Sequence, residues 1–122
     1  LDLPENQVKS AFELRAACIA GYTPDLFGCR VCGSQEPAYF DLSGGTLLCE
    51  KCRTGENGIR LPINAGLVDA MRYITYCDSR KLLGFRLGQE NLDQLSSLTE
   101  AYLTTQLEQG FSTLDFYKSL FL

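Results

Sequence analysis

Four of the six cysteines occur as two pairs, Cys29 with Cys32 and Cys49 with Cys52, and sixteen residues separate the pairs. The pattern C-x2-C-x16-C-x2-C is typical of a four-cysteine zinc site, because a two-residue spacing lets a tight turn aim both sulfurs at one ion. Four thiolates fill the tetrahedral shell of Zn²⁺ and leave no place for water. We therefore predict one zinc ion per chain, with a structural and not a catalytic role.

Two other uses of these thiols agree less well with the sequence. A disulfide framework is typical of secreted proteins, and the N-terminus has neither the basic start nor the apolar core of a signal peptide. A redox-active pair would be a single C-x-x-C at the start of a helix in a βαβ unit, whereas here two such pairs are present. Cys18 and Cys77 lie on apolar helix stripes, and we expect both to be buried free thiols.

The composition argues against several classes of protein. The chain contains no histidine, which removes His-dependent triads, His metal ligands and the usual proton shuttle near neutral pH. We therefore predict no catalytic residue and do not expect an enzyme. The formal charge of −4 provides no general attraction to nucleic acid, and no apolar run approaches the roughly 18 residues of a membrane span.

A short hairpin is predicted to hold the two cysteine pairs together. Residues 38–42 and 46–48 can pair across the Ser-Gly-Gly turn at 43–45. Gly33, directly after the second cysteine, permits the backbone angles that a tight turn requires. The module around the cysteines spans residues 26–58.

The rest of the chain has helical periodicity. A first helix over residues 5–20 should end at Gly21, a left-handed C-cap, and a second should begin at the N-cap Asn64. Residues 81–88 fit either a helical turn or an extended connection. The expected inward stripe of the first helix is Val8, Ala11, Phe12, Cys18 and Ile19, and that of the second is Leu67, Ala70, Met71, Ile74 and Cys77.

Two helices are predicted at the C-terminal end. The longer one covers residues 91–109 and should stop at Gly110. The last one begins with a Ser-x-x-Asp capping pattern at 112–115. The longer helix should direct Leu92, Leu95, Leu98, Tyr102, Leu103 and Leu107 inward.

The predicted fold is therefore mainly α, a helical domain with an inserted four-cysteine zinc ribbon that contains a small β-hairpin. Residues 1–122 form a single domain, made of the helix at 5–20, the ribbon at 26–58 and a helical part at 60–122. The chain lacks an initiator Met, and we expect it to be a piece of a longer protein.

Several segments together resemble one family. "KSAFELRAACIAGYTPDLFGCRVCG", "GTLLCEKC", "DAMRYI", "KLLGFRL" and "YLTTQLEQGFSTLDFYKSL" are similar to the C-terminal region of RecO, the bacterial recombination mediator of the RecF pathway of DNA repair. The resemblance runs from about Glu5 to Leu120. The four paired cysteines match the ligands of zinc-bearing members, and members without them imply that zinc is not required for the family's activity.

The resemblance implies partners as well as a fold. Members carry an N-terminal OB-fold, absent from this chain, through which most DNA contact is expected. They anneal DNA strands, partner RecR and load RecA onto DNA covered by single-stranded DNA-binding protein (SSB), in the bacterial cytoplasm at the nucleoid. The helical domain of the family is associated with the acidic C-terminal tail of SSB.

A receptor for that tail needs an apolar pocket lined by cations. Residues 72–87 combine basic and apolar side chains most densely, and the predicted contacts are Arg72, Arg80, Lys81, Phe85 and Arg86. The alternative is that the apolar residues of this segment belong to the core and the cations are merely solvated. A second possible function is a zinc-ribbon accessory domain of another nucleic-acid-processing enzyme.

Overall fold

Three α-helices and a small sheet make up the computed structural model, which describes residues 3–52 and 59–121, with side chains described as far as residue 110. The helices are α1 (Glu5–Ile19), α2 (Ala65–Tyr76) and α3 (Gln89–Phe121). The strands are β1 (Tyr39–Asp41), β2 (Thr46–Leu48) and β3 (Arg60–Pro62), and short 3-10 helices cover Glu50–Cys52 and Ser79–Lys81. The mainly α fold with an inserted cysteine module is confirmed.

The sheet has the order β2-β1-β3, with both pairs antiparallel. The predicted hairpin is confirmed, since Phe40 pairs with Leu47 across a turn in which Gly45 has a φ of 65°. Strand β3 was not predicted. It pairs Leu61 with Phe40, so residues 60–62 join the sheet although the prediction assigned them to the helical part.

Helix α1 ends as predicted but presents a different face to the core. Gly21 has a φ of 97°, and the Tyr22 N–H donates to the Ala17 carbonyl at 2.8 Å, which is the expected left-handed cap. Phe12 and Ile19 are 58% and 81% exposed, so the predicted stripe is wrong at these two positions. The buried face is instead formed by Gln7, Ser10, Ala11, Leu14 and Ala17.

Polar residues on this buried face explain the error. The Gln7 side-chain amide donates to the main-chain carbonyls of Leu83 and Phe85 at 3.0 and 2.8 Å. A buried amide with satisfied hydrogen bonds is tolerated in a core, and hydrophobic periodicity cannot detect it. These two bonds also fix the course of residues 82–88, which form a turn and then an irregular connection after the 3-10 helix at Ser79–Lys81.

Helix α2 follows the prediction closely. The Asn64 side chain accepts a hydrogen bond from the Leu67 N–H at 2.9 Å, which confirms the N-cap. The predicted stripe is buried from Leu67 to Ile74. The exception is Cys77, which caps the helix and is half-buried; Cys18 is half-buried too, so the expectation of two buried thiols is wrong.

Helix α3 continues through Gly110, where the sequence predicted a break and a separate last helix. Gly110 has no positive φ. A Cβ at this position would lie 2.5 Å from the Tyr22 hydroxyl, so glycine gives that hydroxyl room and does not end the helix. The predicted inward positions from Leu92 to Tyr102 are buried, Leu103 is half-buried, and Leu107 is 40% exposed, contrary to prediction.

The described residues contain two hydrophobic clusters. The larger one joins the three helices to the sheet through Phe40, Leu42 and Leu47, and the Phe40 ring meets Tyr102 edge-on at 5.3 Å between centroids. The smaller one consists of Leu48 with Cys29 and Cys49, against which Tyr39 and Cys52 pack. Within residues 3–52 and 59–121, no helix combines the length and apolar character that a membrane span needs.

Candidate metal centre

The first cysteine pair lies in a tight turn fastened to the edge of the sheet. The Arg30 N–H donates to the Leu47 carbonyl at 2.8 Å, which ties the turn to β2. Within the turn, the Cys29 N–H donates to the Ser34 carbonyl and the Gly33 N–H to the Cys29 carbonyl, both at 2.9 Å. Gly33 has a φ of 77°, as its predicted role requires.

The second cysteine pair follows directly from β2. Leu48 is the last residue of the strand, and Cys49 precedes the 3-10 helix Glu50–Cys52. The Cys52 N–H donates to the Cys49 carbonyl at 3.1 Å, which turns the chain so that both thiols lie on one side. Strand β2 therefore positions both pairs, since it also binds the first turn.

The four thiols converge on one point. Their sulfur atoms all lie within 4.8 Å of one another, and the Sγ atoms of Cys32 and Cys49 are 3.6 Å apart. A tetrahedral zinc ion with Zn–S bonds of 2.3 Å separates its sulfur ligands by about 3.8 Å. The arrangement is therefore compatible with a metal site that needs all four predicted ligands.

Burial and hydrogen bonding shift the pKa values of three of the thiols, and not all in the same direction. Burial raises the pKa of Cys29, but the backbone N–H groups of Cys32, Cys49 and Val31 outweigh it and bring the pKa to about 6. The pKa of Cys49 is also lowered: burial opposes ionisation there, and hydrogen bonds from Cys52 and Cys32 favour it. The hydrogen bond with Cys49, followed by burial, raises the pKa of Cys52 to about 12.

These pKa shifts mean that some thiols of the cluster ionise readily, whereas ionisation of the others is unfavourable. Full ionisation would place four thiolates within 4.8 Å, where like charges repel strongly. A divalent cation at the centre would remove that repulsion and favour the thiolate at every position. The donor set thus fits a soft or borderline divalent metal, and sulfur ligands are those of zinc sites.

An open cavity of about 260 Å³ adjoins the cluster. Cys32 is exposed and Cys29 and Cys49 are buried, while Cys52 is half-buried. The cavity is lined by Cys32, Ser34, Glu36, Cys49, Glu50 and Lys51.

The residues predicted to bind a partner do not form one surface, but Arg80 and Lys81 share a 3-10 helix, and Phe85 and Arg86 line the same groove. The Arg72 Nε donates to the Leu26 carbonyl at 2.6 Å, and its guanidinium lies 5.3 Å from the centre of the Phe27 ring. Phe85 is only 7% exposed and belongs to the main core. The side chains of Arg72 and Phe85 therefore both contribute to the packing of the fold.

The other predicted cations are more accessible. Arg80 pairs with Asp78 at 3.2 Å, and hydrogen bonds from Arg80 lower the pKa of that carboxyl group. Lys81 and Arg86 are exposed. Arg86 borders a groove of about 340 Å³ whose lining includes Tyr73 and the Asp69 carboxylate.

A second groove, of about 310 Å³, was missed from the sequence. It lies between α1 and the 3-10 helix at Ser79–Lys81, and its lining is mainly apolar. The exposed Phe12 and Ile19 were assigned to the core, because they repeat at helical spacing with Val8 and Cys18. The lining consists of Phe12, Arg15, Ala16, Ile19, Ser79 and Leu82.

The fold and the site define a helical domain that carries a three-stranded, four-cysteine module. The chain matches the family model "Recombination protein O C terminal" over residues 2–115, and it belongs to this family. It is 32% identical over 116 residues to the DNA repair protein RecO of Acetivibrio thermocellus, covering 93% of this chain and 46% of that protein. It is 30% identical over 112 residues to that of Dehalococcoides mccartyi, covering 89% and 44%. The chain thus spans less than half the length of these curated relatives.

Proposed function

We propose that this chain is the C-terminal, partner-binding and scaffolding domain of a bacterial recombination mediator that acts in DNA repair. The match to the RecO C-terminal family over residues 2–115 is the observation that carries the proposal, and its relatives are named DNA repair proteins. In the full protein this domain would support strand annealing and, with RecR, RecA loading in the RecF pathway. The domain itself would bind partners and catalyse nothing.

A chimaera tests this function in cells. In the DNA repair protein RecO of Acetivibrio thermocellus, the C-terminal region matched by the chain is replaced by residues 2–115. The chimaera should restore survival of ultraviolet-irradiated cells that lack their own RecO, and its purified form should anneal complementary strands without turnover of any substrate. The matched control is the same relative truncated before the exchanged region. A chimaera that folds and accumulates, but protects no better than the truncation, would contradict the proposal.

The metal we propose is one structural Zn²⁺, held by Cys29, Cys32, Cys49 and Cys52. Four sulfurs within 4.8 Å support this assignment. Zinc would supply a fixed crosslink between the two turns, while the chain supplies four thiolates and no open ligand position. Elemental analysis of the chain, purified without added metal, should find one zinc per chain, and Cys18→Ser with Cys77→Ser should not change that number.

We further propose that the SSB tail binds in the groove between α1 and Ser79–Lys81. An acidic peptide with an apolar end needs exposed apolar surface, and Phe12 and Ile19 provide it at 58% and 81% exposure. Arg80 and Lys81, two of the cations predicted from sequence, lie in the 3-10 helix that borders the groove. The groove beside Arg86 is less suitable, because its lining is more polar and includes Asp69.

Fluorescence anisotropy with a labelled tail peptide distinguishes the two grooves. Ile19→Ser and Lys81→Ala should each weaken binding, Ile19→Ser through lost apolar contact and Lys81→Ala mainly at low salt. The matched control, Arg86→Ala, removes an exposed cation from the other groove and should leave the affinity unchanged. Loss of binding in Arg86→Ala alone would move the site to that groove.

DNA contact by this domain alone is expected to be weak. The charge of −4 gives no net attraction to phosphates, and most DNA contact would come from the N-terminal OB-fold of the longer family members. Arg30→Ala and Lys51→Ala should therefore have no effect on single-strand binding at physiological salt. Sub-micromolar binding that either variant abolishes would make the cysteine module a DNA contact.

A further inference from the structure

The four thiols differ sharply in their access to solvent. Cys29 and Cys49 are 4% and 6% exposed, whereas Cys32 is exposed. Oxidants attack the thiolate form of cysteine, and among thiolates they attack the accessible ones first. If the site holds a metal, all four thiols are thiolates, and exposure decides which one reacts. Cys32 is then the thiol that an oxidant attacks first.

The cavity beside the cluster admits a small, uncharged oxidant. Its volume of about 260 Å³ exceeds the roughly 30 Å³ that one water molecule occupies in the liquid. Glu36 and Glu50 line it together with Lys51, so an anionic oxidant such as glutathione disulfide meets two carboxylates. Hydrogen peroxide is neutral and of nearly the size of water. The lining therefore favours peroxide over larger anionic disulfides.

A second thiol lies close enough to Cys32 to form a disulfide with it after Cys32 is oxidised. The Cys49 Sγ is 3.6 Å from the Cys32 Sγ, and both residues line the cavity. A disulfide bond is about 2.05 Å long, so closure requires an approach of about 1.5 Å. The Cys32 side chain, which is exposed, can make this movement more easily than the buried Cys49.

We propose that Cys32 is a peroxide-reactive site, and that its oxidation forms a disulfide with Cys49 that releases the metal from the module. This inference rests on the proposed zinc. In the first step the Cys32 thiolate attacks one oxygen of hydrogen peroxide; the O–O bond breaks, and with one proton the products are a sulfenic acid and water. In the second step the Cys49 thiolate attacks the sulfenic sulfur, and with one proton the S–O bond gives a disulfide and a second water.

The consequence should be confined to the tip of the module. The disulfide removes two of the four metal ligands, and the two that remain cannot hold a structural ion. The smaller hydrophobic cluster, built on Leu48 with the cysteines, then loses its crosslink. The sheet itself stays attached to the helices through Phe40, Leu42 and Leu47 of the main core. Oxidation would thus loosen residues 29–34 and 49–52 without unfolding the domain.

The test measures zinc and disulfides in the same reaction. Zinc is quantified in the purified chain before peroxide is added, its release is followed with a coloured chelator, and the disulfides are mapped by mass spectrometry. We expect zinc release in step with a Cys32–Cys49 disulfide. Cys32→His keeps a Cys3His zinc site without the reactive thiol, and its release should be at least about tenfold slower. Cys29→His makes the same exchange at a buried ligand and keeps the exposed Cys32 thiol, so its zinc release should be faster than that of Cys32→His.

Each outcome bears on one proposal. Wild-type release rates in Cys32→His, or a first disulfide other than Cys32–Cys49, would overturn the inference. A chain that contains no zinc before oxidation would overturn the proposed metal and, with it, the metal release. The disulfide mapping would still test separately whether Cys32 and Cys49 form the first disulfide. The double variant Cys18→Ser/Cys77→Ser should oxidise like the wild type, because neither residue belongs to the cluster.

Discussion

The two faces of the cysteine module are held by different forces. One face packs on the helices through Phe40, Leu42 and Leu47, and the Gln106 side chain donates to the carbonyls of Leu42 and Ser43 at 2.8 and 3.1 Å. The other face has Leu48 and the cysteines as its small cluster. The first is an ordinary protein core, and the second is too small to be stable without a crosslink. Metal dependence should therefore be local to the tip.

Metal removal provides the strongest test of this difference. Structural zinc contributes about 10 kcal/mol or more to the folding of small metal-binding modules. Cys49→Ser, or a strong chelator, should therefore abolish hydrogen-exchange protection of the backbone in residues 29–34 and 49–52. Residues 39–41 and the helices should remain protected. Loss of protection throughout α1 and α2 would show that the two faces are one cooperative unit.

Phe40→Ala should produce the reverse pattern. The ring is fully buried between the sheet and Tyr102, and truncation of a buried Phe costs about 3–5 kcal/mol. Urea denaturation should show this loss, while the zinc content stays at the wild-type value. The matched control is Val31→Ala, which lies in the first cysteine turn, is 64% exposed and should change stability by less than about 0.5 kcal/mol. Zinc loss in Phe40→Ala would mean that the core positions the ligands.

Whether a feature of this structure can be predicted from sequence depends on how far apart in the chain its interacting residues lie. The clustering of the four paired cysteines, the hairpin and the Asn64 cap follow from local patterns, and each was predicted correctly. Strand β3 was missed because it has three residues and is defined by pairing with β1, some twenty residues earlier. Gly110 was wrongly predicted to end the helix, because its actual role, to give room to the Tyr22 hydroxyl, involves a residue far away in the chain. The groove on α1 was missed because the buried face of the helix includes Gln7 and shares only Ala11 with the predicted stripe.

Gly45→Ala tests the contact between the hairpin turn and α3. Gly45 has a φ of 65°, and a Cβ there would lie 2.7 Å from the Tyr102 hydroxyl and 3.3 Å from its ring. Backbone strain and overpacking together should cost about 2 kcal/mol or more. Gly21→Ala isolates the backbone strain: its φ of 97° lies farther from the left-handed helical region than that of Gly45, and nothing lies within 4 Å of the added Cβ, so only strain of about 1–2 kcal/mol applies. A smaller loss in Gly45→Ala than in Gly21→Ala, measured by urea denaturation, would show that the turn does not pack on α3.

Tyr102→Phe should have the smallest effect, and it depends on pH. The Tyr102 hydroxyl donates to the Tyr22 carbonyl at 2.6 Å, and removal of such a partly buried hydrogen bond costs about 1 kcal/mol. Burial, with a smaller effect of Cys18, raises the pKa of Tyr102 from its ordinary value of 10.0 to about 12. Because the folded-state pKa is the higher one, the stabilisation is complete below pH 10 and is lost as the pH rises towards 12.

The stability advantage of the wild type over Tyr102→Phe should therefore shrink between pH 10 and pH 12. Urea denaturation of both proteins at pH 8 and pH 11 measures it, and the comparison cancels the titration of the other tyrosines and the lysines, which the two proteins share. The result sharpens the contrast between the two faces, because Tyr102 contacts Phe40 on the helix-packed face and none of the four paired cysteines. The zinc content of both proteins should be equal at pH 8. An advantage that stays constant up to pH 11 would mean that the hydroxyl ionises as freely in the folded state as in the unfolded chain.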